Sequence, residues 1–164
     1  MTYITIAVAA AAAIVFAGCD RLDDDRVPLQ PVNISFTTVA EWNIYGVSGA
    51  MTWKEFIRDL RRPADFPFKA TTYTGFGGVL LVSDVLGNPR AYDLSCPVER
   101  RRDVRVAVQP SEDYLVRCPE CGSTYNVFSL MGHPVGGEAA EKGYALRPYV
   151  VSAGFGGEYM LVRN

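Results

Sequence analysis

Three of the four cysteines lie in two short loops, and this arrangement constrains the chain more than any other feature. The first loop is Cys96-Pro-Val-Glu99, and the second is Cys118-Pro-Glu-Cys121-Gly-Ser. The interval between them has the pattern of a β-hairpin. Two such loops at the tip of a small β domain form a natural cage for a metal ion or cluster. We therefore predict a metal or cofactor site whose ligands include Cys96, Cys118 and Cys121.

Short apolar segments separated by glycine turns predict that the fold is all-β. Val32, Ile34 and Phe36 alternate with polar residues, as in a strand with one buried face. Residues 79–83 form a fully apolar strand, and a glycine turn pairs it with a strand at 91–94. Regular spacing of short strands is typical of an antiparallel sandwich or small barrel. The further strands are predicted at 104–108, 114–117, 125–130, 144–152 and 159–162.

One short amphipathic helix is predicted from Met51 to Arg62. Apolar residues recur there at helical spacing, Thr52 is suited to the N-cap, and Pro63 stops the helix. The glycine-rich segment at 75–78 precedes a strand and does not join a strand to a helix. It therefore lacks the context of a phosphate-binding loop, and no nucleotide is expected.

The N-terminal residues predict export and membrane attachment. Residues 1–18 are an uncharged apolar run with small residues directly before Cys19, which is typical of a signal peptide. Phe16-Ala-Gly-Cys19 resembles a bacterial lipobox, in which the cysteine is lipidated; an uncleaved anchor helix is the alternative. An acidic tether follows at 19–30, and the β domain is predicted at 31–164. We expect a lipid-anchored protein of the bacterial cell envelope, on the periplasmic face or at the cell surface.

The two cysteine loops resemble those of the Rieske iron–sulfur domain. That family has Cys-x-His in its first loop, and Cys-x-x-His followed by Gly-Ser-x-Tyr or Phe in its second. Residues 118–125 match the second loop, with Cys121 at the histidine position, while Val98 stands at the histidine position of the first loop. A Rieske centre places two cysteines on one iron and two histidines on the other. In this chain Cys96 and Cys118 correspond to the two Rieske cysteines, and neither of the two Rieske histidines is present.

The resemblance extends beyond the loops, over roughly residues 75–164. Residues 132–140 and 146–149 look like the family's Gly-x-Pro-x-x-Gly-Pro-Ala segment and its following strand. The resemblance implies a Rieske-like β fold with cluster-type loops at 93–99 and 117–125. It also implies that Tyr125 is the aromatic residue that tunes the cluster by a hydrogen bond to sulfur.

Two metal-bound interpretations of the three cysteines stay open. The first is an altered [2Fe–2S] cluster, whose usual complement is four thiolates. Its fourth ligand would have to be Glu99, Asp93 or His133. The second is zinc, because a Cys-x-x-Cys turn that ends in glycine points two sulfurs at one tetrahedral ion. Cys96 would then be the third ligand and His133 the fourth.

Two metal-free interpretations also stay open. An exported protein meets oxidising conditions, which favours a disulfide between Cys96 and Cys118 or between Cys118 and Cys121. The other is a fold with free thiols and no metal. Thiol–disulfide catalysis is not expected, because no thioredoxin-like βαβ pattern surrounds the Cys-x-x-Cys.

Charge and composition limit the functional classes. The formal net charge of −2 argues against a nucleic-acid partner. A catalytic Rieske oxygenase would need a further iron site with two histidines, and the chain has 1 histidine. We therefore expect a non-enzymatic protein that transfers electrons through a [2Fe–2S] cluster to a protein redox partner. The alternative is a structural or binding lipoprotein that contacts another envelope protein and whose cysteines form a disulfide or hold zinc.

Overall fold

The computed structural model describes residues 22–154 and 156–164, and these form a mostly β protein, as predicted. The strands are β1 Val32–Phe36, β2 Trp53–Phe56, β3 Tyr73–Thr74, β4 Val79–Ser83, β5 Pro89–Asp93, β6 Ala107–Gln109, β7 Leu115–Arg117, β8 Thr124–Asn126, β9 His133–Gly136, β10 Pro148–Ala153 and β11 Met160–Arg163. The helices are α1 Val39–Tyr45 and α2 Gly137–Lys142, with a 3₁₀ turn at Arg58–Leu60.

The strands form two antiparallel sheets. The larger sheet has the order β2-β4-β5-β10-β11-β1-β3 and is nearly closed into a barrel. The smaller sheet has the order β6-β7-β8-β9. The predicted hairpin of apolar strands is confirmed as β4 and β5, with Val79 opposite Asp93 and Ser83 opposite Pro89. The first cysteine loop follows β5 and leads into the smaller sheet, whereas the second loop connects β7 and β8 within the smaller sheet.

Strand β4 explains why residues 79–82 are continuously apolar. Leu80 and Val82 are buried in the core under the smaller sheet. Val79 and Leu81 are buried in a second core, which contains Phe36 and other aromatic residues. Because side chains alternate between the faces of a strand, β4 contributes to both cores, and its whole length is removed from water.

The helix predicted from Met51 to Arg62 was wrong. Residues 53–56 are strand β2, which pairs with β4 from Trp53–Val82 to Phe56–Val79. Helix propensity is a weak preference, and pairing beside a buried apolar strand outweighs it here. The α1 helix lies earlier in the chain, where the Thr38 hydroxyl accepts a hydrogen bond from the Glu41 N–H (3.1 Å). The capping-box spacing of Thr38 and Glu41 was the available signal for it.

Several predicted strands are shorter than expected. The strand predicted at 104–108 has its ladder at 107–109, although Val104, Val106 and Val108 are buried as predicted. The strand predicted at 125–130 ends at Asn126, where the side chain accepts hydrogen bonds from the N–H groups of the following turn. The strand predicted at 144–152 begins at Pro148.

The described part of the predicted acidic tether lies against the β domain. We call residues 23–27 the N-terminal strap. The Asp23 backbone bonds to Gly143 and Ala145, and Asp25 forms an ion pair with Arg147 (2.9 Å). Val27 is 0% exposed. This part of the predicted tether is therefore docked on the β domain, although Asp24 and Asp25 stay exposed.

The predicted signal segment and the lipidation site Cys19 lie outside the described residues. Among the residues that are described, no helix is long and apolar enough to cross a membrane.

The strap should contribute measurably to stability. Replacing Val27 with Ala is expected to lower the free energy of unfolding by roughly 2 kcal/mol, because two buried methyl groups are lost. Urea denaturation followed by tryptophan fluorescence measures this. Leu29→Ala is the matched control, since Leu29 is 65% exposed and its truncation should change stability by less than about 0.5 kcal/mol. Equal effects of the two substitutions would contradict docking of the strap.

Candidate metal centre

The two loops bring the three predicted cysteines together. Cys96 follows β5 after two residues, and Cys118 directly follows β7. The sulfur atoms of Cys96, Cys118 and Cys121 all lie within 4.8 Å of one another. Cys96 and Cys118 are buried and Cys121 is half-buried, so the group lies beneath the surface with one side towards solvent. These three residues can bind a metal ion.

The three thiols are free in the structure. The sulfurs of Cys96 and Cys121 are 3.6 Å apart, whereas a disulfide bond is about 2.05 Å long. Neither of the disulfides considered from the sequence, Cys96–Cys118 or Cys118–Cys121, is formed.

Backbone amides in each loop are directed at the first cysteine of that loop. The N–H groups of Glu99 and Val98 hydrogen-bond the Cys96 sulfur. The N–H groups of Cys121 and Glu120 hydrogen-bond the Cys118 sulfur. Hydrogen bonds of this kind favour a thiolate, which is the form that binds a metal. The loops thus supply part of the stabilisation that a buried metal-bound sulfur requires.

Burial opposes ionisation of these thiols. It raises the pKa of Cys96, against the effect of the backbone hydrogen bonds. Burial likewise raises the pKa of Cys118 to about 12, and the neighbouring Cys96 adds to this rise. The metal-free pair therefore keeps its protons at neutral pH. Binding of a cation must displace them, and the charge of the ion compensates the thiolates.

Tyr125 lies directly beside the centre. It is 0% exposed, and its hydroxyl oxygen is 3.6 Å from the Cys96 sulfur. Burial is the main cause of its raised pKa, and the surrounding cysteines add to it. The phenol therefore keeps its proton, which is available for a hydrogen bond to a thiolate. This is the position expected from the sequence resemblance.

A serine and a helix hold the second loop in place. The Ser123 hydroxyl accepts hydrogen bonds from the Ala139 N–H (3.2 Å) and from the Cys121 thiol (3.3 Å). Gly137, with φ of 71°, packs against the Ser123 backbone. A side chain at Gly137 would meet Ser123 and would also strain the backbone. The start of α2 therefore fixes the loop that carries Cys118 and Cys121.

Asp93 holds the first loop in place, a role that the sequence analysis missed. Its carboxylate accepts hydrogen bonds from the Ser95 N–H (2.7 Å) and the Tyr149 hydroxyl (2.6 Å). It also accepts from the N–H groups of Phe76 (2.9 Å) and Gly77 (3.0 Å). Asp93 is thus occupied as a backbone anchor and not as a metal ligand. The glycine-rich segment at 75–78 lets this backbone approach the carboxylate, because a side chain at Gly75 or Gly77 would meet it.

His133 and Glu99, the other two residues considered as ligands, are not part of the three-cysteine group. His133 pairs with Asn126 between β8 and β9, and its ring is not part of the three-cysteine group. Val98, at the position of the first Rieske histidine, packs against the core under the smaller sheet. Glu99 is half-buried beside the site, and its carboxylate is also outside the group as defined by distance.

The sulfur spacing is compatible with a single bound metal ion. Two sulfurs about 2.3 Å from one zinc ion lie roughly 3.8 Å apart, and the three sulfurs here are mutually within 4.8 Å. A [2Fe–2S] cluster instead divides its four protein ligands between two irons. The protein that these features define is a small antiparallel β domain with a three-cysteine centre between its sheets.

Comparison with known proteins finds no matching family model, no matching curated protein and no matching solved structure. The three-cysteine group alone does not identify a Rieske domain, so that resemblance stays a prediction.

Proposed function

We propose that this protein is a non-enzymatic metal–thiolate protein in which one zinc ion joins the two cysteine loops. The observation that carries this proposal is the approach of three sulfurs to within 4.8 Å of one another at the junction of the two sheets. Bound zinc would hold the loops in a fixed relation and stabilise the fold, because the unfolded chain has no preformed site.

The chemistry of the donor set supports zinc. Thiolates are soft ligands that select zinc, Cu(I) and iron–sulfur clusters over Mg²⁺ and Ca²⁺. Three thiolates with amide hydrogen bonds to two of them suit a structural tetrahedral site. The site would present a surface of fixed loops to another envelope protein, which corresponds to the structural or binding role considered from the sequence.

Electron transfer through a [2Fe–2S] cluster is the second candidate function. Its specific support is Tyr125, whose hydroxyl faces the Cys96 sulfur. Hydrogen bonds to sulfur are one of the factors that set the potential of such clusters. A [2Fe–2S] cluster would need a fourth ligand. It would also need the sulfurs to lie farther apart than they do in the three-cysteine group, because its ligands are divided between two irons. A protein redox partner would then be required.

The cellular location is part of the proposal. The apolar segment at 1–18 followed by Cys19 supports a lipid anchor in the bacterial cell envelope. The docked strap begins at residue 23, which would hold the β domain close to the membrane surface.

Metal analysis of the full chain, purified without oxygen or chelators, tests the proposed function. We expect about one zinc ion per chain and no visible absorbance. About two irons per chain, with visible absorbance that bleaches on reduction, would instead support electron transfer. Absence of any bound metal, with all three described thiols reactive in the unfolded protein, would overturn both candidates.

A further inference from the structure

The two cysteine loops have the same backbone conformation. The N–H of Arg100 donates to the Cys96 carbonyl (2.8 Å), and the N–H of Gly122 donates to the Cys118 carbonyl (3.1 Å). Each donor lies four residues after its cysteine and has left-handed backbone angles, with φ of 54° for Arg100 and 70° for Gly122. A proline follows the cysteine in both loops.

The amide hydrogen bonds to sulfur also correspond. In each loop they come from the second and third residues after the cysteine: Val98 and Glu99 in the first, Glu120 and Cys121 in the second. The second loop has glycine at its left-handed position, where glycine is favoured. The first loop adopts the same conformation with Arg100, which favours it little. The first loop therefore keeps this conformation although its residue is not glycine.

This correspondence places Glu99 where the second loop has Cys121. Both residues lie three positions after the cysteine of their loop, and both are half-buried. In the second loop that position provides a metal-binding sulfur. In the first loop it provides a carboxylate, and Zn²⁺ also accepts carboxylate oxygen as a ligand.

The carboxylate of Glu99 is not committed to another partner among the described residues. Arg101 is a nearby cation whose charge interacts with those of both Glu99 and Glu120. Its guanidinium is instead paired with Asp103, with a nitrogen–oxygen distance of 2.7 Å. A cation at the three sulfurs could therefore attract Glu99 without breaking an existing ion pair.

We propose that Glu99 supplies the fourth ligand of the metal centre, because it holds the position in the first loop that Cys121 holds in the matching second loop. This inference rests on the proposed metal–thiolate function and gives the site three thiolates and one carboxylate. The carboxylate is a harder donor than the thiolates. It is therefore the ligand that an added thiol exchanges most readily.

Cobalt and zinc titrations of the full chain test this assignment with Glu99→Gln, Glu99→Cys and the control Glu120→Gln. Glu120 lies in the other loop, is exposed, and carries the same charge. Glu99→Gln should weaken zinc binding by at least about 10-fold, while Glu120→Gln should bind as the wild type does. Glu99→Cys should raise the sulfur-to-cobalt charge-transfer absorbance by about a third, as expected for four thiolates in place of three.

The titrations separate this inference from the function on which it rests. Metal binding by the wild type, with Glu99→Gln unchanged in affinity and no added absorbance in Glu99→Cys, would overturn the role of Glu99 alone. A wild type that binds neither cobalt nor zinc would overturn the metal centre and the fourth ligand together. Circular dichroism of each variant checks that its fold is retained.

Discussion

Replacing Cys118 with Ser is expected to abolish metal binding and to lower the free energy of unfolding by roughly 5 kcal/mol or more in the presence of zinc. Structural zinc contributes about 10–16 kcal/mol to the folding of small zinc-binding domains. Cys118 is 0% exposed and lies in the core under the smaller sheet. Its loss leaves two sulfurs, too few to hold the ion tightly.

Chelation separates the metal contribution from the direct effect of the substitution. Urea denaturation of the wild type and of Cys118→Ser would be measured with zinc bound and again after chelation. With zinc bound, we expect the free energy of unfolding of the wild type to exceed that of Cys118→Ser by the large amount given above. After chelation, the two should differ by roughly 1–2 kcal/mol, because the serine hydroxyl is buried in an apolar core. Equal differences under both conditions would mean that Cys118 acts by packing alone, and that the ion contributes nothing to the fold.

The fold class could be predicted because the strand signals in this chain are strong and local. The alternation of Val32, Ile34 and Phe36 with polar residues indicates a strand with one buried face. The continuous apolar run of β4 indicates a strand that is buried on both faces. Strand β2 could not be found in this way. Trp53 and Phe56 fit helical spacing, and only their pairing with β4 shows that the segment is extended. That pairing depends on residues far along the chain.

The candidate site was predictable in its cysteines and not in its supporting residues. A Cys-x-x-Cys turn is local, so Cys118 and Cys121 could be assigned from the sequence, and Cys96 was assigned from the resemblance of its loop to the first Rieske loop. The anchoring role of Asp93 depends on contacts with Gly77 and Tyr149 that are distant in sequence. His133 was considered as a ligand because it is the chain's 1 histidine, but its place in β9 separates it from the sulfurs.

Replacing Asp93 with Ala is expected to lower the free energy of unfolding by roughly 4–6 kcal/mol. The carboxylate accepts three backbone N–H groups and the Tyr149 hydroxyl, and Asp93 is 0% exposed. Each buried donor left without a partner costs about 1–3 kcal/mol. Asp93→Asn keeps the size and one acceptor oxygen, so it should cost roughly half as much. Urea denaturation of the two variants measures both values.

The pH dependence of Asp93 gives an additional test. Burial raises its pKa, although the hydrogen bonds from Tyr149 and from the backbone oppose this. A carboxyl whose folded-state pKa is raised contributes its full stability below its unfolded pKa, near 3.9. That contribution falls as the pH rises through the folded-state value. The stability difference between the wild type and Asp93→Asn should therefore be larger at about pH 4 than at about pH 7.

Asp93 should also affect metal binding, since it fixes Ser95, the residue before Cys96. Asp93→Ala is expected to weaken zinc affinity about 10-fold, as for residues that orient metal ligands. Asp84→Ala is the matched control, because Asp84 is also buried and accepts backbone hydrogen bonds from Leu86 (2.9 Å) and Asn88 (2.8 Å). It lies in the turn before β5, away from the cysteine loops, so Asp84→Ala should reduce stability and leave zinc affinity unchanged. If both substitutions weakened zinc binding equally, the effect would reflect general destabilisation, and Asp93 would have no specific role in positioning Cys96.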